Sequence, residues 1–327
     1  MKLISKLLVA LLAWGTLPCP AVMVAPAQPS SMATVERMVM RGEADRAIAT
    51  LRSHVRTNPR DGQAQLLLCR AYYSVELANQ AVSACEAALV TLSEDSAAQD
   101  WMGRAYGIKA DGAGPIAGYR LAGKVKAAFE KAVELDPHNA DAVNDVGEYY
   151  VSAPAIVGGG TDKAFALADR VARTLPETAH RLRGLAAEKR SDYGTAEREF
   201  RDAVAGGQPK AWIDLGLYYV RRGQTPQAVN AVRRAAEVDT RRSPSVVDAA
   251  SILLKMNVEV PLARRLLEEY LNSSAMSDGA PAFKALTLLG KALQLDGDRN
   301  GARLQYEKAL ELARDYAPAK KALGKLS

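Results

Sequence analysis

One spacing dominates this 327-residue chain and leaves few folds open to it. Its clearest instance runs Trp212, Leu215-Gly216 and Tyr219, then Ala228, Val232 and Ala235, with Gly223 between the two halves. Two antiparallel helices can approach closely only where small side chains such as Gly216, Ala228 and Ala235 face each other. The large residues then fill the gap to a neighbouring pair. A single pair cannot bury its apolar face alone, so such units are stable only as a stack that shares one elongated core.

The same order recurs at intervals of about thirty-four residues. Upstream it is carried by Val35, Gly42, Ala47 and Leu51, then by Leu68, Cys69, Tyr72, Ala81, Cys85 and Ala88. Met102, Gly103 and Tyr106 open a third copy, whose second half (Val125, Phe129, Ala132) arrives late. Val146, Gly147 and Tyr150 open a fourth, also interrupted, and Gly184, Ala196 and Phe200 mark a fifth. Beyond the clearest copy come Leu254, Ala263 and Leu267, and then Leu289, Gly290, Ala302, Tyr306 and Ala309. Pro59, Pro137 and Pro176 fall where a second helix must stop. No segment alternates with period two as a strand would.

This series resembles the tetratricopeptide repeat over residues 31 to 326. The resemblance implies an all-α fold: a right-handed superhelical solenoid of about eight antiparallel helix pairs, closed by a short capping helix over residues 318–325. It also implies recognition of a protein or peptide, with no catalytic residues, no cofactor and no metal. The three histidines agree, since His54, His138 and His180 fall on different repeats without the i, i+4 spacing of a helical metal site. Gly158-Gly159-Gly160 lacks the lysine and hydroxyl residue of a nucleotide loop.

Residues 1–27 have the anatomy of a secretory leader: basic Lys2 and Lys6, an apolar stretch over 7–13, and Ala25-Pro26-Ala27 at a cleavage site. The apolar stretch is too short to cross a bilayer, which takes about 20 residues. The context of Cys19 fits a lipid-anchor signal poorly, with Pro18 where a small residue is required. The expected mature domain is 28–327, periplasmic or secreted, without a transmembrane segment. A leader of this type, together with the repeat, is similar to exported bacterial members of the family.

Charge narrows the partners. Residues 28–176 hold 16 basic and 18 acidic groups, and residues 177–327 hold 25 and 19. The excess lies in arginine pairs such as Arg221-Arg222 and Arg264-Arg265, interspersed with carboxylates. A nucleic-acid surface would need a basic stripe with interleaved aromatics, so these arginines read as a solvated helix surface.

Within the solenoid, first helices line the inner groove. Residues that the packing motif leaves free there include Arg70, Tyr73, Trp101, Arg104, Asn144 and Glu148. Arginines beside aromatics suit a carboxylate or an extended peptide; the same residues could instead form a ladder of ion pairs of small worth. The lysines and asparagines by which well-known family members clamp chaperone tails are not reproduced, since the matching places hold Leu66, Arg70, Trp101, Asp141 and Asp145. Cys69 and Cys85 face each other across one helix hairpin, either as a disulphide or as two buried thiols. Two insertions, over 107–124 and 152–162, are expected as inter-helix loops on one edge, with Thr161 or Asp162 capping the helix that follows. They are either a contact surface or inert. The expected role is a scaffold for protein interaction in envelope assembly, secretion or polymer export. The alternative is a module for a cell-wall or exported polysaccharide.

Overall fold

The computed structural model describes residues 31–326; the expected leader over 1–27 lies outside the described residues. Antiparallel helices follow one another in pairs: α1 (Met32–Met40) with α2 (Ala44–Thr57), α3 (Gly62–Ser74) with α4 (Ala78–Leu89), and α5 (Ser96–Asp111) with α6 (Pro115–Leu135). Next come α7 (Ala140–Ser152) with α8 (Thr161–Val171), α9 (Pro176–Lys189) with α10 (Tyr193–Ala203), and α11 (Pro209–Arg221) with α12 (Thr225–Val238). The last pairs are α13 (Pro244–Met256) with α14 (Val260–Leu271) and α15 (Ala282–Leu295) with α16 (Arg299–Leu312). A single helix, α17 (Ala317–Gly324), ends the stack.

The small residues of the motif sit where the helices cross. A Cβ placed on Gly103 would lie 2.4 Å from the Phe129 ring, on Gly147 2.3 Å from Leu182, and on Gly290 2.5 Å from the Tyr306 ring. Gly42, Gly223 and Gly297 turn the chain with φ of 73°, 70° and 86°, a region that L side chains rarely enter.

The two insertions differ from each other. The expected loop over 107–124 is helical: α5 continues to Asp111 and α6 starts at Pro115, leaving only three residues between them. Proline is well placed there, because the first helical position has no intrahelical use for an N–H. Of the expected loop over 152–162, Ser152 ends α7 and Thr161 and Asp162 open α8, and residues 153–160 between them are irregular apart from one 3-10 turn over Ala155–Val157. Neither Thr161 nor Asp162 caps α8, whose N-cap is Gly160; both bind Arg190 instead. The hydroxyl of Tyr149 lies 3.0 Å from the Ala122 carbonyl and 2.7 Å from that of Val157, so both insertions belong to one edge.

The stack also closes on itself, which no repeat spacing announces. Ala44 of α2 and Val75 after α3 are buried in one cluster with Phe283, Ala309, Ala313, Tyr316 and Ala319 from the last repeat and α17. The turn at Gly42 packs on the start of α15, where a Cβ would stand 2.6 Å from the Ala282 nitrogen. Asp45 accepts from Arg314 Nε at 2.9 Å. The segment 272–281 between α14 and α15 acts as a clasp. Tyr270 Oη donates to the Ala280 carbonyl at 2.6 Å and accepts from the Ser277 amide at 3.2 Å. This shapes the turn that carries Asp278, which accepts from Arg70 Nε and Nη2, each at 2.8 Å. An open solenoid needs polar outer faces on its terminal repeats; here the first and last repeats cover each other.

Cys69 of α3 and Cys85 of α4 are joined as a disulphide, fully buried, with Cα atoms 5.2 Å apart. The bond closes a loop with a sequence separation of 16. Chain-entropy arguments assign such a loop about 3 kcal/mol. Urea unfolding of the reduced, alkylated protein is therefore expected to give a stability lower by that amount than the unreduced protein. Equal midpoints, with both thiols labelled by an alkylating reagent in the denatured, unreduced protein, would instead mean two free buried cysteines.

Candidate groove site

First helices carry the charged side chains of the inner wall. Trp101 on α5 lies between two guanidinium groups, Arg70 at 5.3 Å and Arg104 at 4.7 Å from its ring centre. Tyr73 packs edge-on against the same ring at 5.4 Å. Four of the six residues expected to bind, Arg70, Tyr73, Trp101 and Arg104, thus form one cluster. The other two, Asn144 and Glu148 on α7, form a second cluster around Arg181 of α9, a residue the sequence reading did not single out. Arg181 donates to Asn144 Oδ1 at 3.1 Å and to Asp214 Oδ2 at 3.0 Å, and it pairs with Glu148. Lys210 joins Asp214 at 2.8 Å.

The arginines are not free to grip a ligand carboxylate. Arg70 is committed to Asp278 across the closure. Arg104 is held by Asp145 at 2.5 Å and Asp100 at 3.0 Å, with Asp141 at 4.0 Å. Three carboxylates sharing one cation leave an excess of negative charge. Burial, then the neighbouring acids, push Asp100 up to about 7, although Arg104 pulls the other way. Burial raises Asp145 as well. For Arg104, burial disfavours the charge, but Asp145 and Asp100 outweigh it and hold the guanidinium protonated.

Beside these clusters lie two adjoining cavities that share Glu148 and Ser152. One, about 460 Å³, has an apolar floor of Ile108, Val125 and Phe129 and a rim that includes Asp111, Asp145 and Glu148. The second, about 290 Å³, sets Leu185, Phe200 and Leu217 against Arg181, Asp214 and Arg221. Apolar floors with a few convergent polar groups are the usual make-up of a ligand site. A larger cavity, about 870 Å³, lies between α12 and α14, but charges on its wall pair with one another: Arg233 with Glu259, and Arg242 and Arg265 with Glu269. Within the arginine pairs of the second half, Arg221 is bound by Glu188 and Arg264 by Glu268, whereas Arg222 stacks on the Tyr193 ring, 3.5 Å from its centre.

Among the described residues, no group of three or more His, Cys, Asp or Glu is placed to hold a metal ion. His54 pairs with Asp61 at 2.7 Å and His180 with Glu199 at 2.9 Å. No described helix is long and apolar enough to cross a membrane.

Comparison with known proteins bears on the fold. The family profile described as tetratricopeptide repeat matches residues 283–316, the pair α15–α16 with the approach to α17. Yeast Tom70 superposes with a TM-score of 0.54 at 14% identity, covering 92% of this chain and 65% of that one. The crystal structure of the APC/C hetero-tetramer Cut9-Hcn1 gives 0.41 at 13% identity, covering 93% and 57%. A tetratricopeptide repeat protein from Parabacteroides merdae gives 0.44 at 15% identity, covering 90% and 96%. The chain thus spans less than two thirds of the Cut9-Hcn1 and Tom70 chains it matches. No curated protein sequence matches it.

Proposed function

The chain is a tetratricopeptide-repeat protein, and from that premise we propose that it is a scaffold that holds an extended protein segment in the groove between α5 and α11. The observation that carries this reading is the pair of adjoining cavities with apolar floors and charged rims. Apolar side chains of a bound segment fill the floors over Ile108 and Leu217. Asp111, Asp145 and Glu148 make the α5–α7 end acidic, so a lysine or arginine of the segment is preferred there over a carboxylate. A leader over 1–27 puts this activity in the bacterial envelope, in assembly, secretion or polymer export.

The test is crosslinked capture from native bacterial envelopes, using the chain from residue 28 and an Ile108→Glu, Leu217→Glu variant. Both positions are partly exposed, so the variant should keep its helical signal. A protein partner held by the parent and reduced about tenfold or more in the variant supports the groove reading, since partly dry apolar contacts dominate such sites. Equal capture by both would remove it. Retention on insoluble wall material with no protein partner would move the function to polysaccharide binding.

A further inference from the structure

The outer helix α6 has 21 residues, whereas every other second helix of a pair has between 11 and 14. Its excess lies at the start, which projects beyond the stack with the end of α5. That projecting part reads Pro115-Ile116-Ala117-Gly118-Tyr119-Arg120-Leu121-Ala122-Gly123, apolar on all sides of the helix with one charge. An all-round apolar helix is ordinarily buried, yet here Ile116 is 76% and Tyr119 54% exposed. On the same edge the turn Ala155–Val157 presents Ile156, 78% exposed. The turn is tied to α6 through Tyr149, and Gly158 lies against Lys126.

Charge on this edge is one-sided. From Gly107 to Lys126 the chain carries Lys109, Arg120, Lys124 and Lys126 against Asp111 alone. Lys126 pairs with Glu130 at 3.4 Å, and Lys124 stands 5.0 Å from the Tyr106 ring centre. Lys109 and Arg120 make no ion pair with any described residue. The three apolar side chains line none of the groove or outer cavities described above, so none of those cavities serves them as a socket for a partner's side chain. A lipid headgroup layer needs none. Isoleucine can enter the acyl boundary, a tyrosine ring suits the headgroup level, and unpaired cations attract anionic lipid.

We propose that the projecting end of α6, together with the turn at Ile156, seats the protein on an anionic membrane surface. The contact is peripheral and independent of the groove, and it orients the solenoid with its α5–α8 edge toward the bilayer.

Sedimentation with vesicles tests this on the chain from residue 28. Binding is expected to phosphatidylcholine vesicles that contain phosphatidylglycerol, weakly or not at all to phosphatidylcholine alone, and to be released by salt. Ile116→Glu with Tyr119→Glu should lower the partition about tenfold or more, because the apolar contact and the charge balance are both lost. Lys109→Glu with Arg120→Glu should abolish the preference for anionic lipid. These side chains are exposed or partly so, so thermal unfolding should stay at the parent midpoint. Two results would overturn the proposal: no binding to anionic vesicles, or unchanged binding by the Ile116, Tyr119 variant. A concentration-dependent dimer that the same variant abolishes would also overturn it and assign the patch to a second copy of the chain.

Discussion

Phe283→Ala is expected to cost about 3–5 kcal/mol, the range for emptying a buried phenylalanine site, and to open the solenoid as well. Phe283 has no exposed surface, and its ring centre is 4.8 Å from that of Tyr316. Both belong to the cluster that joins Ala44 and Val75 of the first repeats to the last repeat and α17. The polar links at the same junction, Arg70 with Asp278 and Asp45 with Arg314, set its register. Partly exposed pairs of this kind contribute little energy alone, so the apolar cluster must hold the ends together. The control is Phe200→Ala. Phe200 is 1% exposed but lies inside a middle repeat against Tyr218, so a similar stability loss should leave the ring closed. Small-angle scattering well below the unfolding transition separates the two. A larger radius of gyration for the Phe283 variant alone is the expected result. Equal radii for both variants and the parent would mean that the closure does not depend on this cluster.

The contrast between those two phenylalanines also marks what was legible in the sequence. Phe200 belongs to a local pattern: its partner Gly184 lies within the same helix pair, where an added Cβ would meet the ring at 3.1 Å. Contacts of that kind repeat with the spacing and can be read from it, as Gly103, Gly147 and Gly290 were. Arg70 and Asp278 are separated by 208 positions, and no periodicity relates them. Arg70 therefore read as a free groove residue although the fold uses it as a fastening. The projecting hairpin was obscured for another reason. Five glycines and Pro115 over 107–124 suggest a loop, but Pro115 opens a helix, and a Cβ on Gly123 would meet nothing within 4 Å. Glycine lowers helix propensity without forbidding a helix. Arg181 and Asp214 were within reach. They lie three residues before Gly184 and two before Gly216, at the same offsets that Asp100 has from Gly103 and Asp145 from Gly147.

Asp100→Asn should make the protein more stable at neutral and alkaline pH, the reverse of what an aspartate beside an arginine usually suggests. Asp100 is 2% exposed; one of its oxygens lies 3.0 Å from Arg104 Nη2 and the other has no hydrogen-bond partner. Arg104 is already neutralised by Asp145 at 2.5 Å, so Asp100 carries the cost of burial with little in return. Its carboxyl is accordingly raised from 3.8 to about 7. Between those two values the folded chain binds a proton that the unfolded chain has released. Stability therefore falls as pH rises through that window and stays low above it. A shift of this size corresponds to a loss on the order of 4 kcal/mol at its fullest. Asparagine keeps an acceptor for Arg104 and carries no charge at any pH. Urea unfolding at about pH 5 and about pH 8 should then show the parent losing stability toward the higher pH. The difference between variant and parent should grow over the same interval, with the variant ahead at the upper end. If the variant is instead the weaker protein at about pH 8, Asp100 is an ordinary ion-pair partner of Arg104. The groove charge would then be one unit more negative near neutrality than a protonated Asp100 allows, and its preference for a cationic segment correspondingly stronger.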